Sequence, residues 1–492
     1  MKFKNLAYIL IFAFLLLCFA GCAKQEGKTS DALPADADSA KTPGEATDAN
    51  ILDTIPSENF GGYEFRFLKP ENDLWATSDV IVEEETGEAI LDAMYRRNKK
   101  IEEKFNVQLT ETVIKGWDTS STFKNSVVAG DYAYDAIYDR TTNMAALSSQ
   151  ALLYNLPNVP NIDLDKPWWD SSCAKDLSIA GRLYFATGDA NLHYNDDTWI
   201  VMFNKNMVRD LALENPYQLV LEGTWTLDKF YELMSAASAD LNGNGTPDFD
   251  DRYGFLSHNS TYTSFLFGTD QSLFVKNSED LPVIALNSTD FASKYIKVSE
   301  TLADPRLTAI WQRDKYIFLN GDEWTWQNIF FEGRALFFAE VLGTLHLSNM
   351  RNMQENFGLL PVPKYDTAQK EYISTVLDST LALGIPSNAE NPGRTGLILE
   401  ALSAESYVGV MPEYYDVALQ YKLTRDEDSV AMLDIIRKIR RYDLGSVYNL
   451  GSIANDLTNM FAKNDQNIVS YLEKVQSRIE KAIGLIVEAY TK

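Results

Sequence analysis

Tyr63-Glu64-Phe65-Arg66-Phe67-Leu68 alternates apolar and polar residues, the period of a strand with one buried face. Working outward from it, Glu88 to Phe105 reads as a helix: Ile90, Met94, Ile101 and Phe105 share one face, and Arg96, Arg97, Lys99 and Lys100 fall mostly elsewhere. Asn106-Val107-Gln108-Leu109-Thr110 is a second strand. Ser120 to Val128 is a short helix that stops near Gly130, and Tyr134-Asp135-Ala136-Ile137-Tyr138 is a third strand. Strand, helix, strand, helix, strand is the order that builds a parallel sheet covered by helices, so an α/β lobe is expected here.

Upstream, Lys2 and Lys4 precede an apolar run from Leu6 to Ala20. That run suits a secretory leader and is short for a membrane span. It ends in Leu17-Cys18-Phe19-Ala20-Gly21-Cys22, whose last three residues resemble a bacterial lipobox, with Phe19 where that pattern usually has Leu. The resemblance implies a signal peptide over residues 1–21 and a diacylated Cys22 at the head of the mature chain, on the outer face of the cell membrane. The alternative is an ordinary cleaved leader with an incidental cysteine. Residues 22–57 carry few large apolar side chains and cannot bury enough surface to offset their ordering entropy, so they read as a flexible tether.

The chain of 492 residues leaves room for two or three lobes beyond that tether, and 45% hydrophobic content marks a folded protein. A net charge of −26 would repel nucleic acid, which is excluded as a partner. Of three cysteines, Cys18 leaves with the leader and Cys22 takes lipid. Cys173 is then alone, without an intrachain disulfide partner. His193, His258 and His346 have no neighbouring metal ligand in sequence, so zinc is not expected. No nucleophile elbow, phosphate-binding loop or dinucleotide fingerprint occurs, and no catalytic residue is assigned.

Further along, Gly181-Arg182-Leu183-Tyr184-Phe185-Ala186 and Trp199-Ile200-Val201-Met202-Phe203-Asn204-Lys205 read as strands. In Thr224-Trp225-Thr226-Leu227-Asp228, Thr226 can cap a helix that buries Leu227, Phe230, Met234 and Ala237. Phe330 to Phe338 turns through Gly333 into an apolar run. Phe357 to Pro363 and Thr380 to Pro386 are further strands. With Gly61-Gly62-Tyr63-Glu64-Phe65, Asp92 to Asn98 and Gly130 to Ile137, these segments resemble, in order, the extracellular solute-binding proteins of ABC importers, in the sugar-type family 1 that includes maltose-binding protein. The resemblance covers roughly residues 60 to 405.

It implies a two-lobed α/β periplasmic-binding-protein-like fold of type II, with extra C-terminal helices. Lobe 1 would comprise residues 58–184 and 373–405, and lobe 2 residues 185–372 and 406–492. Hinge crossovers are expected near residues 184 to 190 and 372 to 380. It further implies a non-enzymatic, monomeric receptor that captures a mono- or oligosaccharide and delivers it to a membrane permease. A surface glycan-degrading enzyme and a receptor feeding a sensor kinase are the alternatives.

Candidate ligand contacts sit where strands end: Asp139 and Arg140 after the third strand, Asp189 after the crossing strand, Trp324 and Trp326, Glu340, and Asp378 before the returning strand. Trp168 and Trp169 read as loop packing. Asp240 to Asp251 matches a twelve-position calcium loop. Asp240, Asn242, Asn244, Asp248 and Asp251 supply oxygens, Thr246 its carbonyl, and Gly245 the sharp turn; Asp251 stands where an EF-hand has Glu. A structural calcium ion is expected; a metal-free Asn/Gly/Asp turn is the alternative.

Overall fold

The alternating stretch that opens the domain becomes the second strand of a five-stranded sheet. The computed structural model describes residues 50–71, 79–116, 118–286, 288–317, 326–420 and 427–492. Contacts divide the chain into Met1–Thr42 and Pro43–Lys492. The first unit, with the leader and Cys22, lies outside the described residues, as does Trp324.

In chain order the strands are β1 (Tyr63–Pro70), β2 (Val107–Ile114), β3 (Ala136–Arg140), β4 (Phe185–Ala186), β5 (Trp199–Asn204), β6 (Tyr253–Ser257), β7 (Phe274–Lys276), β8 (Pro282–Ile284), β9 (Thr308–Ile310), β10 (Ala335–Val341), β11 (Phe357–Leu360), β12 (Ser374–Thr375), β13 (Leu381–Gly384) and β14 (Arg440–Arg441). The first sheet has the order β2-β1-β3-β13-β4 and the second β11-β5-β10-β6-β9. β1 runs parallel to β2 and β3, whereas β13 is antiparallel to both β3 and β4. The chain thus leaves the first sheet after β4, builds the second, and returns at β13. β12 and β14 pair in parallel beside this return, and β7 and β8 form a separate hairpin.

Local rules explain the elements. In the helix Ala89–Phe105, Met94, Ile101 and Phe105 are buried. Thr226 accepts from the amide of Lys229 and starts Leu227–Ala237, whose Leu227, Phe230, Met234 and Ala237 are buried. Gly130 closes Thr119–Ala129 at φ +71°, a conformation that favours glycine. β5 and β10 are buried along their whole length, as central strands covered on both faces must be.

Three expectations need adjusting. Arg97, grouped by pattern with the polar face, is only 1% exposed. Its guanidinium donates to the carbonyls of Val80 (2.5 Å) and Ala190 (3.0 Å) and to Ser406 Oγ (3.0 Å), which is how a buried arginine stays satisfied. Ordered chain begins before residue 58: Ile51–Thr54 forms a 3-10 turn, and Leu52 and Ile55 are buried. The chain after residue 405, expected on the second lobe, also binds the first. Leu433 and Ile436 are buried where Glu427–Lys438 packs on β11. The terminal helix Ile468–Thr491, however, brings Tyr490 within 2.7 Å of Ser148 Oγ and edge-on to Tyr184. Among the described residues no helix is long and apolar enough to cross a membrane. Cys173 is fully buried, and burial pushes its thiol up to about 12.

Candidate ligand cleft

β6, β9 and β10 run parallel, so their carboxyl ends share one edge of the second sheet. Phe338 lies beside Leu256, and Ser257 beside Ile310. β5 runs the opposite way and sets Trp199 beside Val341 at that same edge. The register therefore gathers Trp199, His258, Trp311 and Glu340. A cavity of about 230 Å³ opens there, lined by His258, Trp311, Gln312, Trp326 and Glu340, with Leu377 from the returning crossover. Leu377 also lines an adjoining cavity of about 140 Å³, together with Trp199, Ser264, Asp378, Asp443 and Asn455.

In the larger cavity, His258 Nε2 lies 3.2 Å from Glu340 Oε1, and the ring of Trp199 lies 5.3 Å from the imidazole. Trp326 meets the imidazole edge-on at 6.1 Å. Burial by itself would lower the His258 pKa, but the charge and hydrogen bond of Glu340 outweigh it and hold it above the ordinary value. Broad aromatic faces with amide, imidazole and carboxylate groups beside them suit a ligand whose rings carry C–H faces and hydroxyl edges.

Of the residues expected at the ligand, Trp326 and Glu340 line the larger cavity and Asp378 the smaller. Burial, then Asp443 and Asp197, push Asp378 up to about 6. Asp139 and Arg140 line neither cavity. Asp139 is buried; its Oδ1 accepts from the Arg140 amide and Asn143 Nδ2, and its Oδ2 has no partner among the described residues. Burial raises its pKa. The chain beside them touches the return crossover: Thr141 donates its amide to the Thr380 carbonyl (2.8 Å) and its hydroxyl to that of Asp378 (2.5 Å).

Asp189, expected at the ligand, lies inside the first crossover. It is 4% exposed, lines neither cavity and accepts from Tyr194 Oη at 2.6 Å. Burial pushes it up to about 7. β4 ends at Ala186, and the chain folds back so that the Asp189 amide donates to the Trp168 carbonyl, which seats the side chain inside. Trp168 and Trp169 pack in this loop region and donate their indole N–H groups to Glu400.

The crossovers are bound to one another. The amide of Leu377 donates to the Asp197 carbonyl and that of Val376 to the Arg441 carbonyl, each at 3.0 Å. His193 Nδ1 lies 2.8 Å from Asp197, and His346 Nε2 lies 3.0 Å from Asp196. Sequence reasoning missed Trp199, His258, Trp311 and Ser264. The available signal was position: His258 directly follows the strand Tyr253–Ser257, and Trp311 follows Thr308–Ile310.

The Asp240 to Asp251 loop is closed by its own hydrogen bonds. Asp240 accepts from the amides of Gly243 and Gly245, each at 2.7 Å. Asp248 Oδ2 accepts from the side-chain amides of Asn242 and Asn244, and Asp251 from the amides of Leu241 and Asp248. Gly245 turns at φ +72°. Among the described residues no group of three or more His, Cys, Asp or Glu side chains is placed to hold a metal ion. A calcium ion here would draw its remaining oxygens from Asn242, Asn244 and the Thr246 carbonyl.

No protein-family model matches the chain, and no curated protein matches its sequence. Solved structures do match its architecture. The cyclic alpha-maltosyl-1,6-maltose binding protein of Arthrobacter globiformis aligns with TM-score 0.57 at 10% identity, over 86% of this chain and 99% of its own. A sugar transporter structure from Rhizobium etli in an open conformation aligns with TM-score 0.56 at 13% identity, over 87% and 99%. An ABC substrate-binding protein of Listeria monocytogenes, in complex with cycloalternan, aligns with TM-score 0.54 at 11% identity, over 86% and 99%. Nearly the whole of each of these proteins is matched, and the chain has their two-lobed α/β binding-protein fold.

Proposed function

We propose that this protein is the solute receptor of an ABC importer, closing its two lobes over a mono- or oligosaccharide and presenting it to a membrane permease. One observation carries the reading: aromatic and hydrogen-bonding side chains converge on the carboxyl edge of the second sheet, at the crossovers where a hinge would close. The fold shared with proteins described as binding cyclic alpha-maltosyl-1,6-maltose and cycloalternan supports it. In this reading no bond is made or broken by the chain, which acts as a monomer outside the cell, held at the membrane by lipid on Cys22. The Asp240 to Asp251 loop takes calcium as a structural ion.

Thermal-shift screening and calorimetry against neutral, aminated and acidic sugars test the proposal. One class should raise the melting temperature and bind with one-to-one stoichiometry; a ligand at a hundred times its Kd adds about 2.7 kcal/mol. A flat response across the whole panel overturns it.

A further inference from the structure

Resting on the sugar-receptor reading, we infer that the smaller cavity is a subsite for a protonated amine, so that the ligand is a sugar bearing a free amino group.

The acids near the cleft differ in what answers them. Glu340 has His258. Asp443 accepts from the Leu273 amide (3.0 Å), the Ser446 amide (2.7 Å) and Ser446 Oγ (2.9 Å), and so caps a helical turn. Asp378 lines the cavity, and no lysine, arginine or histidine pairs with its carboxylate among the described residues. Among the described residues, neither cavity has a lysine or arginine in its lining.

A second observation points to the same place. Ser264, on the helix Thr261–Gly268, is 2% exposed and lines this cavity, yet its Oγ has no hydrogen-bond partner among the described residues. A buried hydroxyl left unmade is costly, and a ligand group that bonds it recovers that cost. An ammonium group has three donors and no acceptor. Asp378 and Ser264 Oγ supply the acceptors, and Trp199 also lines this cavity, an aromatic ring of the kind that attracts cations. Asp197 and Asp443 add to the negative field at Asp378. A cation gains from that field, a neutral hydroxyl gains less, and a carboxylated sugar is repelled. A volume of about 140 Å³ takes the amine-bearing edge of a ring, with the remainder of the sugar in the cavity lined by Trp311 and Trp326.

The experiment is calorimetry at pH 7 on the mature chain with matched sugars that differ at one substituent: glucosamine, N-acetylglucosamine and glucose, and the corresponding β-1,4-linked trisaccharides. The free amine should bind at least tenfold more tightly than its acetylated and hydroxyl counterparts. Asp378→Asn should erase that preference, bringing the affinities for the free-amine and hydroxyl sugars to within about twofold of each other, with the circular dichroism spectrum in place. Ser264→Ala should weaken amine binding several-fold. Equal or tighter binding of the acetylated or hydroxyl sugars overturns the inference and leaves the sugar-receptor reading standing. If no sugar binds, both fall. Should Asp378→Asn fail to fold, the wild-type ratios and Ser264→Ala still decide the matter.

Discussion

Glu340 on β10 and His258, the residue after the parallel strand β6, face each other with Oε1 3.2 Å from Nε2. The pair joins β10 to the end of β6 at the rim of the larger cavity. Because the folded-state pKa of His258 is raised, the stabilisation is full below the unfolded value and is lost as pH rises through the folded one. Glu340→Gln should therefore cost about 1–2 kcal/mol at pH 6 and little at pH 9. Melting curves at both values check this; an equal loss at both would contradict it.

Asp378 follows the same direction with pH for a different reason, burial and neighbouring carboxylates in place of an ion-pair partner. Its folded pKa of about 6 exceeds the ordinary 3.8. Its favourable contribution is complete below the unfolded value and disappears as pH rises through about 6. Without ligand, Asp378→Asn should be more stable than the parent at pH 7.5, by about 1 kcal/mol, and should show no such gain near pH 3.8. Urea denaturation at both pH values measures the difference, and a variant less stable at pH 7.5 would refute the prediction.

Glu400 receives two indoles at once: Trp168 Nε1 at 3.0 Å and Trp169 Nε1 at 2.8 Å. Glu400→Leu would leave both buried donors unmade, at a cost of about 2–4 kcal/mol. Glu400→Gln, which keeps one acceptor oxygen, should lose less. Chemical denaturation of the three proteins should rank them in that order.

The calcium loop is tested by melting in millimolar calcium against chelator. A rise of several degrees with calcium, abolished by Asp240→Ala, is the expected result. Identical curves in the two buffers would assign the loop to its own hydrogen bonds alone.

Cys22→Ala should move the protein from the membrane fraction into the medium. Continued membrane association of that variant would remove the anchor from the proposed function and leave ligand capture untouched.

Much of the fold was legible because it follows local rules. β1 announced itself by alternation, the helix Leu227–Ala237 by its Thr226 cap and apolar stripe, and β10 by the Gly333 turn before it. Glu340 and Asp378 could be named as candidates because each sits at or beside a strand that the pattern could locate. Arg97 was not legible: three of its bonding partners, Val80, Ala190 and Ser406, are remote in sequence, and nothing in the helix's own periodicity points to them. Nor was the seat of Asp189, which depends on the fold-back against Trp168.

The sequence by itself determined the two α/β units, the order of their elements and the residue types available at their edges, because backbone period, capping and turn chemistry act over a few positions. Only the tertiary structure decided which of those residues meet. Trp199, Ser264, Asp378 and Asn455 come from β5, a helix, a crossover and the C-terminal segment, and they share a wall because strand register and chain return put them there. The same packing decided that His258 answers Glu340 while no cation pairs with Asp378 among the described residues. Charge pairing in a buried cleft depends on distance through space, which composition and spacing along the chain do not encode.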